Sequence, residues 1–259
     1  MGALHAGHAA LVDAARASHD HVVASIFVNP TQFNDAADLD QYPRTPEDDA
    51  RLLREHGCDV LYLPSVLDVY PDGTAGGATE HLDFGSLTAR MEGANRPGHF
   101  DGVAQVVHRL LDVVRPTTLF LGQKDYQQVA VIRSMIRQMK MAVQVEVVPT
   151  VREEDGLARS SRNRRLLSHQ REAAGRINRH LSAVKQGLLA GWPPRILEGL
   201  ALAALEADPE LRPEYVEICN GETLEQFVPG QPFREVVIAT AVHCGPVRLI
   251  DNMVIGAVG

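Results

Sequence analysis

The rhythm of apolar and polar positions changes near residue 150. Before that point, short apolar runs rich in branched residues alternate with longer amphipathic ones. The runs 22–28, 60–64, 117–121 and 143–148 read as strands. Between them, residues 9–17, 101–114 and 126–139 repeat apolar positions with helical spacing. Thr45-Pro46-Glu47-Asp48 adds a helix start, with a Thr cap, Pro at the first helical position and acids in the first turn. Asp101 reads as a cap for the helix it opens. Alternation of this kind predicts parallel strands covered by helices on both faces, with ligands outside the C-terminal strand ends.

After residue 150 the order changes. A long helix with Ser168 as its cap runs to Leu189, and Gly191-Trp192-Pro193-Pro194 breaks it. A second helix spans 196–206, and 215–219, 236–241 and 248–255 read as strands. The expected organisation is an α/β domain over 1–150 and a smaller α+β domain over 151–259. No internal repeat or low-complexity segment interrupts either part.

Composition narrows the function classes. The 259 residues carry a formal charge of −8, which argues against general nucleic-acid or anionic-membrane binding. An anionic ligand therefore needs a local basic site. No run approaches the length of apolar sequence that spans a bilayer. The opening residues lack the basic and apolar stretches of a signal peptide. Cys58, Cys219 and Cys244 are scattered, odd in number and without metal-ligand spacing, which fits a reducing cytoplasm.

Candidate chemistry begins at the first eight residues, Met1-Gly2-Ala3-Leu4-His5-Ala6-Gly7-His8. Two histidines at His-x-Gly-His spacing lead straight into an amphipathic helix. The unpaired N–H groups and positive dipole end of such a helix favour phosphate, and Gly7 lets the backbone approach it. Imidazoles there can donate to phosphate oxygens as charge builds. Asn29 and Gln32 follow a strand end and can hold a polar ligand without adding charge; an Asn-Pro turn is the plain alternative. Arg96 and His99 sit on a loop that enters a helix, suited to anion contact or to simple turn chemistry. Gly122-Gln123-Lys124-Asp125 joins a strand to a helix, with Lys124 as a phosphate cation and Asp125 as a cap or ribose ligand. Gln128 lies one turn further on. Arg159-Ser160-Ser161-Arg162 offers amides, hydroxyls and guanidinium groups, a set suited to a polyphosphate.

Taken in order, MGALHAGH, SIFVNPTQF, YPRTPEDD, RPGHFDGV, GQKDYQQ, VREEDGLARSSRN and RLIDN resemble the pantothenate synthetase (pantoate–β-alanine ligase) family of HIGH-motif nucleotidyltransferases. The resemblance covers nearly the whole chain. It implies a Rossmann-like first domain and a C-terminal lid. It also implies an ATP-dependent ligase that condenses pantoate with β-alanine through pantoyl adenylate, releasing AMP and pyrophosphate. By carry-over, His5, His8, Lys124 and Arg162 are catalytic, with His8 the proton donor. The nucleotide would meet Met1, Gly2, Ala3, Leu4, His5, Ala6, Gly7, His8, Gly122, Gln123, Lys124, Asp125, Val151, Arg159, Ser160, Ser161 and Arg162. Gln32 and Gln128 would bind pantoate, Gln32 also β-alanine, and Asn29 and Tyr42 would support them. The resemblance further implies Mg²⁺ with ATP and a homodimer; no protein-held metal site is expected, and the acidic charge leads to the expectation of no nucleic-acid partner.

The chain departs from that family at four places. Gln123 stands where the family has Glu, Arg159 where it has Met, and Arg165 where it has an aromatic residue. The family's first strand, ahead of the His-x-Gly-His turn, has no counterpart, so two strand edges are expected to lie open. A start placed too far downstream, and a shortened, weakly active chain, are both compatible with this. Two other classes stay open: a different HIGH-type nucleotidyltransferase, which nucleotide competition would separate, and an impaired nucleotide-binding member that releases no AMP.

Overall fold

The computed structural model describes residues 2–32, 39–40, 42–71, 73, 78–79 and 81–256. Met1 lies outside the described residues, as does Phe33. The first half follows the alternation of its apolar runs. Helix α1 (Ala6–Ser18) leads to β1 (Val23–Ser25), then α2 (Pro46–Glu55), β2 (Val60–Tyr62) and the short α3 (Val66–Val69). Next come the short α4 (Met91–Asn95), α5 (His99–Val114), β3 (Thr118–Gly122), α6 (Tyr126–Gln138) and β4 (Gln144–Val148). The strands are parallel, as expected of crossover connections. They pair as two ladders, Val23 with Val60 through Ser25 with Tyr62, and Thr118 with Gln144 through Gly122 with Val148.

Helices cover both faces. On one, Val12 and Ala15 of α1 and Leu53 of α2 pack with Val22, Ala24, Leu61 and Phe120. Helix α1 thereby bridges the two ladders, and His19 Nε2 lies 3.0 Å from Thr118 Oγ1 at its end. On the other face, Val69, Tyr70 and Val106 pack with Phe27 and Leu110.

The second half holds α7 (Ser168–Leu189), α8 (Pro194–Glu206) and an antiparallel sheet of β5 (Leu211–Asn220), β6 (Glu235–Cys244) and β7 (Val247–Gly256), in that spatial order. Strand β6 is apolar almost throughout because both of its faces are buried. Val236, Ile238, Val242 and Cys244 face α7 and α8, where Ile177, Leu181, Leu197 and Leu205 meet them. Val237 and Ala239 face the other way, into a cluster with Phe100, Val103, Ile132 and Met135 of α5 and α6. One apolar core therefore crosses residue 150.

Several helix starts differ from their sequence reading. Gly98, at φ 76°, is the N-cap of α5, and no side chain caps that helix; Asp101 sits inside the first turn, where its charge suits the dipole. Leu167 rather than Ser168 is the N-cap of α7, and its N–H donates to Gln170 Oε1 at 3.1 Å. Thr45 does occupy the N-cap of α2, but its hydroxyl donates to Asp49 Oδ1 at 3.0 Å instead of capping the helix.

Gly102 of α5 fixes how closely the loop after β1 can approach. A Cβ there would lie 2.7 Å from the Thr31 carbonyl oxygen and 2.8 Å from its Oγ1. Gly102→Ala is expected to lower Tm by roughly 2–10 °C, the effect of overpacking a chain this size. Thermal melts of the two proteins check it.

Candidate active site

The His-x-Gly-His turn is held from below by a buried carboxylate. Asp49 Oδ2 accepts from the Ala3 N–H at 3.0 Å, and Oδ1 from the Leu4 N–H at 2.7 Å and from the Thr45 hydroxyl. Ala3 adopts φ 53°, a left-handed conformation that these bonds hold in place. Gly2 is buried against Pro43 and Asp49, and Leu4 packs on the core of the first half. His5 is the N-cap of α1, with Ala6 its first residue.

Both imidazoles are locked by backbone donors. The Gly7 N–H donates to His5 Nδ1 at 3.1 Å, and the His5 N–H donates to His8 Nδ1 at 3.2 Å. An Nδ1 that accepts leaves the proton on Nε2. The ring centroids lie 4.2 Å apart. A Cβ on Gly7 would come within 2.9 Å of the His5 ring, which would have to shift to admit it. Burial, then the cations of Lys124, Arg159 and Arg164, pushes His5 down to about 4. Burial, then the neighbouring His5, pushes His8 down to about 3. Both rings are neutral near pH 7 and act as Nε2–H donors; a proton-donor role for His8 requires an anion to raise its basicity first.

A cleft of about 340 Å³ takes in Lys124, Asp125, Gln128, Ser160, Arg162 and Arg165. Lys124 Nζ lies 3.8 Å from Asp125 Oδ1. Asp125 is the N-cap of α6 but makes no capping bond, so its half-exposed carboxylate is left for other partners. Gly122 ends β3, and a methyl group in place of its α-hydrogen would meet nothing within 4 Å, so there is room above its backbone. Gln123 donates from Nε2 to Asn252 Oδ1 at 3.1 Å.

Opposite this turn, the Val151 carbonyl accepts from the Arg159 N–H at 2.9 Å, closing a hairpin. The Arg159 side chain pairs with Glu153 at 3.0 Å, which offsets the extra cation. Ser160 Oγ accepts from the Arg162 N–H at 3.2 Å, and Ser161 opens the 3₁₀ turn that follows. Arg164, within electrostatic reach of His5, is a further cation that lies outside the sequence motifs.

Gln32 is buried, and its carbonyl is held by Arg96 at 3.0 Å and by His99 Nδ1 at 3.3 Å. Burial, then the Arg96 cation, pushes His99 down to about 4. Asn29 is fully used inside the protein: its amide donates to Thr31 Oγ1 and the Gly102 carbonyl, and its oxygen accepts from Tyr70. Its role is to hold the loop that carries Gln32. Tyr42, like His5, His8, Gln32 and Asn29, lies outside the lining of the cleft, and its carbonyl accepts from Arg44 at 3.0 Å.

Three residues that build the site escape a reading of the sequence. Asp49 is legible there only as the last residue of YPRTPEDD, Asn252 only as the last of RLIDN, and Glu92 as nothing in particular. Glu92 lines the cleft and accepts two bonds from Arg248, at 2.6 and 2.7 Å. All three act on partners far away along the chain, which local pattern does not record. Among the described residues, no group of three His, Cys, Asp or Glu has metal-holding geometry.

An α/β chain with a backbone-locked His-x-Gly-His turn at a helix N-terminus belongs to the HIGH-motif nucleotidyltransferase class. The family model described as pantoate-beta-alanine ligase matches residues 1–254. A pantothenate synthetase of Porphyromonas gingivalis is 47% identical over 253 residues, covering 98% of this chain and 88% of the relative. The crystal structure of the Thermus thermophilus pantothenate synthetase superposes with a TM-score of 0.90 at 44% identity, covering 98% of this chain and 90% of that one. A Francisella tularensis pantoate-beta-alanine ligase, complexed with beta-gamma ATP and beta-alanine, gives a TM-score of 0.75 at 33% identity over 98% and 86% of the two chains. The chain belongs to the pantoate–β-alanine ligase family.

The histidines make stability depend on pH. The unfolded chain takes up protons at His5, His8 and His99 near pH 6.5, whereas the folded chain refuses them until about pH 4 at His5 and His99 and about pH 3 at His8. The stability they contribute is therefore present above pH 6.5 and lost as pH falls toward 4. Tm should drop across that window, and less steeply in His99→Gln. Asp49→Asn sets an amide N–H against a backbone N–H and should cost about 1–3 kcal/mol, read by denaturant unfolding.

Proposed function

We propose that the chain condenses pantoate with β-alanine in two steps on ATP. In the first, a pantoate carboxylate oxygen attacks the α-phosphorus and pyrophosphate leaves. In the second, the β-alanine amine attacks the acyl carbon, the acyl–phosphate bond breaks, AMP leaves and the amine loses a proton. The carrying observation is the pair of neutral, Nε2–H imidazoles at the start of α1, both within electrostatic reach of Lys124 and His5 also of Arg159 and Arg164. Fixed donors and cations around an anion-sized space stabilise charge that develops on phosphate oxygens.

Within this reading His5, His8, Lys124 and Arg162 stabilise the triphosphate and its transition state. The backbone of residues 1–8 and 122–125, with Val151, Arg159, Ser160 and Ser161, seats the nucleotide. Gln32 and Gln128 hold pantoate, Gln32 also meets β-alanine, and Asn29 and Tyr42 support that pocket. Residues 151–259 serve as the lid, with Ser160 and Arg162 lining the same cleft as Lys124. Mg²⁺, which screens polyphosphate charge, enters on the nucleotide; the cation-rich donor set suits a substrate-borne ion, with Asp125 as the nearby acid. A cytoplasmic homodimer is part of the same proposal and rests on the resemblance.

The test is AMP and pyrophosphate release with ATP, Mg²⁺ and pantoate, with and without β-alanine. Pyrophosphate should appear on adding pantoate, and sustained AMP release should need both acid and amine. Lys124→Ala should lower the rate by about 10²–10³, the cost of one electrostatic stabiliser. ATP binding with no release from the unmodified chain would overturn the proposal in favour of a non-catalytic nucleotide-binding protein.

A further inference from the structure

The dipeptide Asp251-Asn252 on β7 joins the two halves of the cation-rich site. Both residues are buried, at 6% and 3% exposure. Asn252 Nδ2 donates to the carbonyl oxygens of Gln123, at 3.0 Å, and Lys124, at 2.8 Å. Carbonyls only accept, so the amide nitrogen must face them and Oδ1 must face Gln123 Nε2, which donates to it at 3.1 Å. All of the Asn252 amide is thus engaged by one turn. The two carbonyls belong to the peptide planes on either side of the Lys124 Cα, and each plane is rigid. Holding both fixes where the lysine side chain starts, 128 residues away in sequence.

The neighbouring Asp251 does the same for the opposite loop. Its carboxylate takes a two-pronged bond from Arg152, at 2.7 and 2.9 Å. The same guanidinium donates to the Gly156 carbonyl at 3.0 Å and to the Asn252 carbonyl at 3.1 Å. The hairpin that leads to Ser160 and Arg162 is therefore referenced to the strand residue that holds Lys124.

We propose that Asn252 is a positioning residue for adenylate formation, acting by fixing the backbone on both sides of Lys124. The inference rests on the reading of Lys124 given above. A misplacement of about 1 Å at a reacting centre can cost about 10²-fold. Asn252→Ala should therefore lower the rate of pyrophosphate release in a single turnover with ATP and pantoate by roughly 30- to 100-fold. KM for β-alanine should stay within about threefold, because the second step does not draw on the same positioning.

The deciding experiment is a double-mutant cycle of Asn252→Ala with Lys124→Ala. If Asn252 acts through Lys124, its removal in the Lys124→Ala background should cost less than about threefold. Equal losses in both backgrounds would overturn the proposal and leave Asn252 a general structural residue. A Lys124→Ala protein as fast as the parent would overturn the site reading itself, and this inference with it. Should Asn252→Ala not fold, Gln123→Met replaces it in the cycle, since it removes the donor that orients Asn252 while leaving β7 intact. A smaller loss that vanishes in Lys124→Ala supports the proposal, and an additive loss sinks it.

Discussion

Double-sided burial of the β5–β7 sheet is the constraint on which the rest depends. Its middle strand sends Val236, Ile238 and Val242 into one core and Val237 and Ala239 into another. The second core is shared with α5 and α6, the helices that flank the cleft. Alternation along a strand thus welds the C-terminal part to the first half without any special linker. It also sets the sheet's outer strand, β7, against the Lys124 turn. A lone asparagine can then organise backbone from the middle of the chain, because the sheet beneath it is fixed on both sides.

The same interface is pinned by charge at its far side. Arg248 of β7 bonds Glu92 of α4 and Glu214 of β5, while Tyr215 donates to Glu92. Arg90, just ahead of α4, pairs with Glu217 at 2.7 Å. Partly buried pairs of this kind lose much of their Coulombic gain to desolvation, so their main effect is on geometry. They hold the lip of the cleft that carries Glu92 in one position against the sheet.

Within the cleft, positive charge is concentrated on one side, with Asp125 beside Lys124 as its nearest acid. Lys124, Arg162 and Arg165 line the cleft, and Lys124, Arg159 and Arg164 help burial to keep His5 neutral. In a chain of net charge −8, such a cluster is a local inversion of sign. An arriving polyphosphate would find fixed donors and cations already oriented, which reduces reorganisation as charge develops. Arg159 is partly offset by its pair with Glu153, although its charge still acts on His5.

The parallel strands, the helices on both faces, the bounds of α7 and the break at Gly191 were legible because they rest on local periodicity and turn chemistry. So were His5, His8, Lys124 and Ser160, which sit in short motifs whose spacing carries their chemistry. Cap residues were less legible: Thr45 turns its hydroxyl to Asp49, and Gly98 displaces Asp101, because a side chain's partner depends on what folds beside it. The tautomers of the two histidines, the depth of their burial, the anchoring of residues 3 and 4 by Asp49, and the grip of Asn252 on the Lys124 turn were decided only by tertiary structure. Sequence by itself determined which elements form and which groups bring chemistry. Bonds across 45 to 129 residues of chain decided how those groups are aimed, since local propensity carries no record of what lies across the fold.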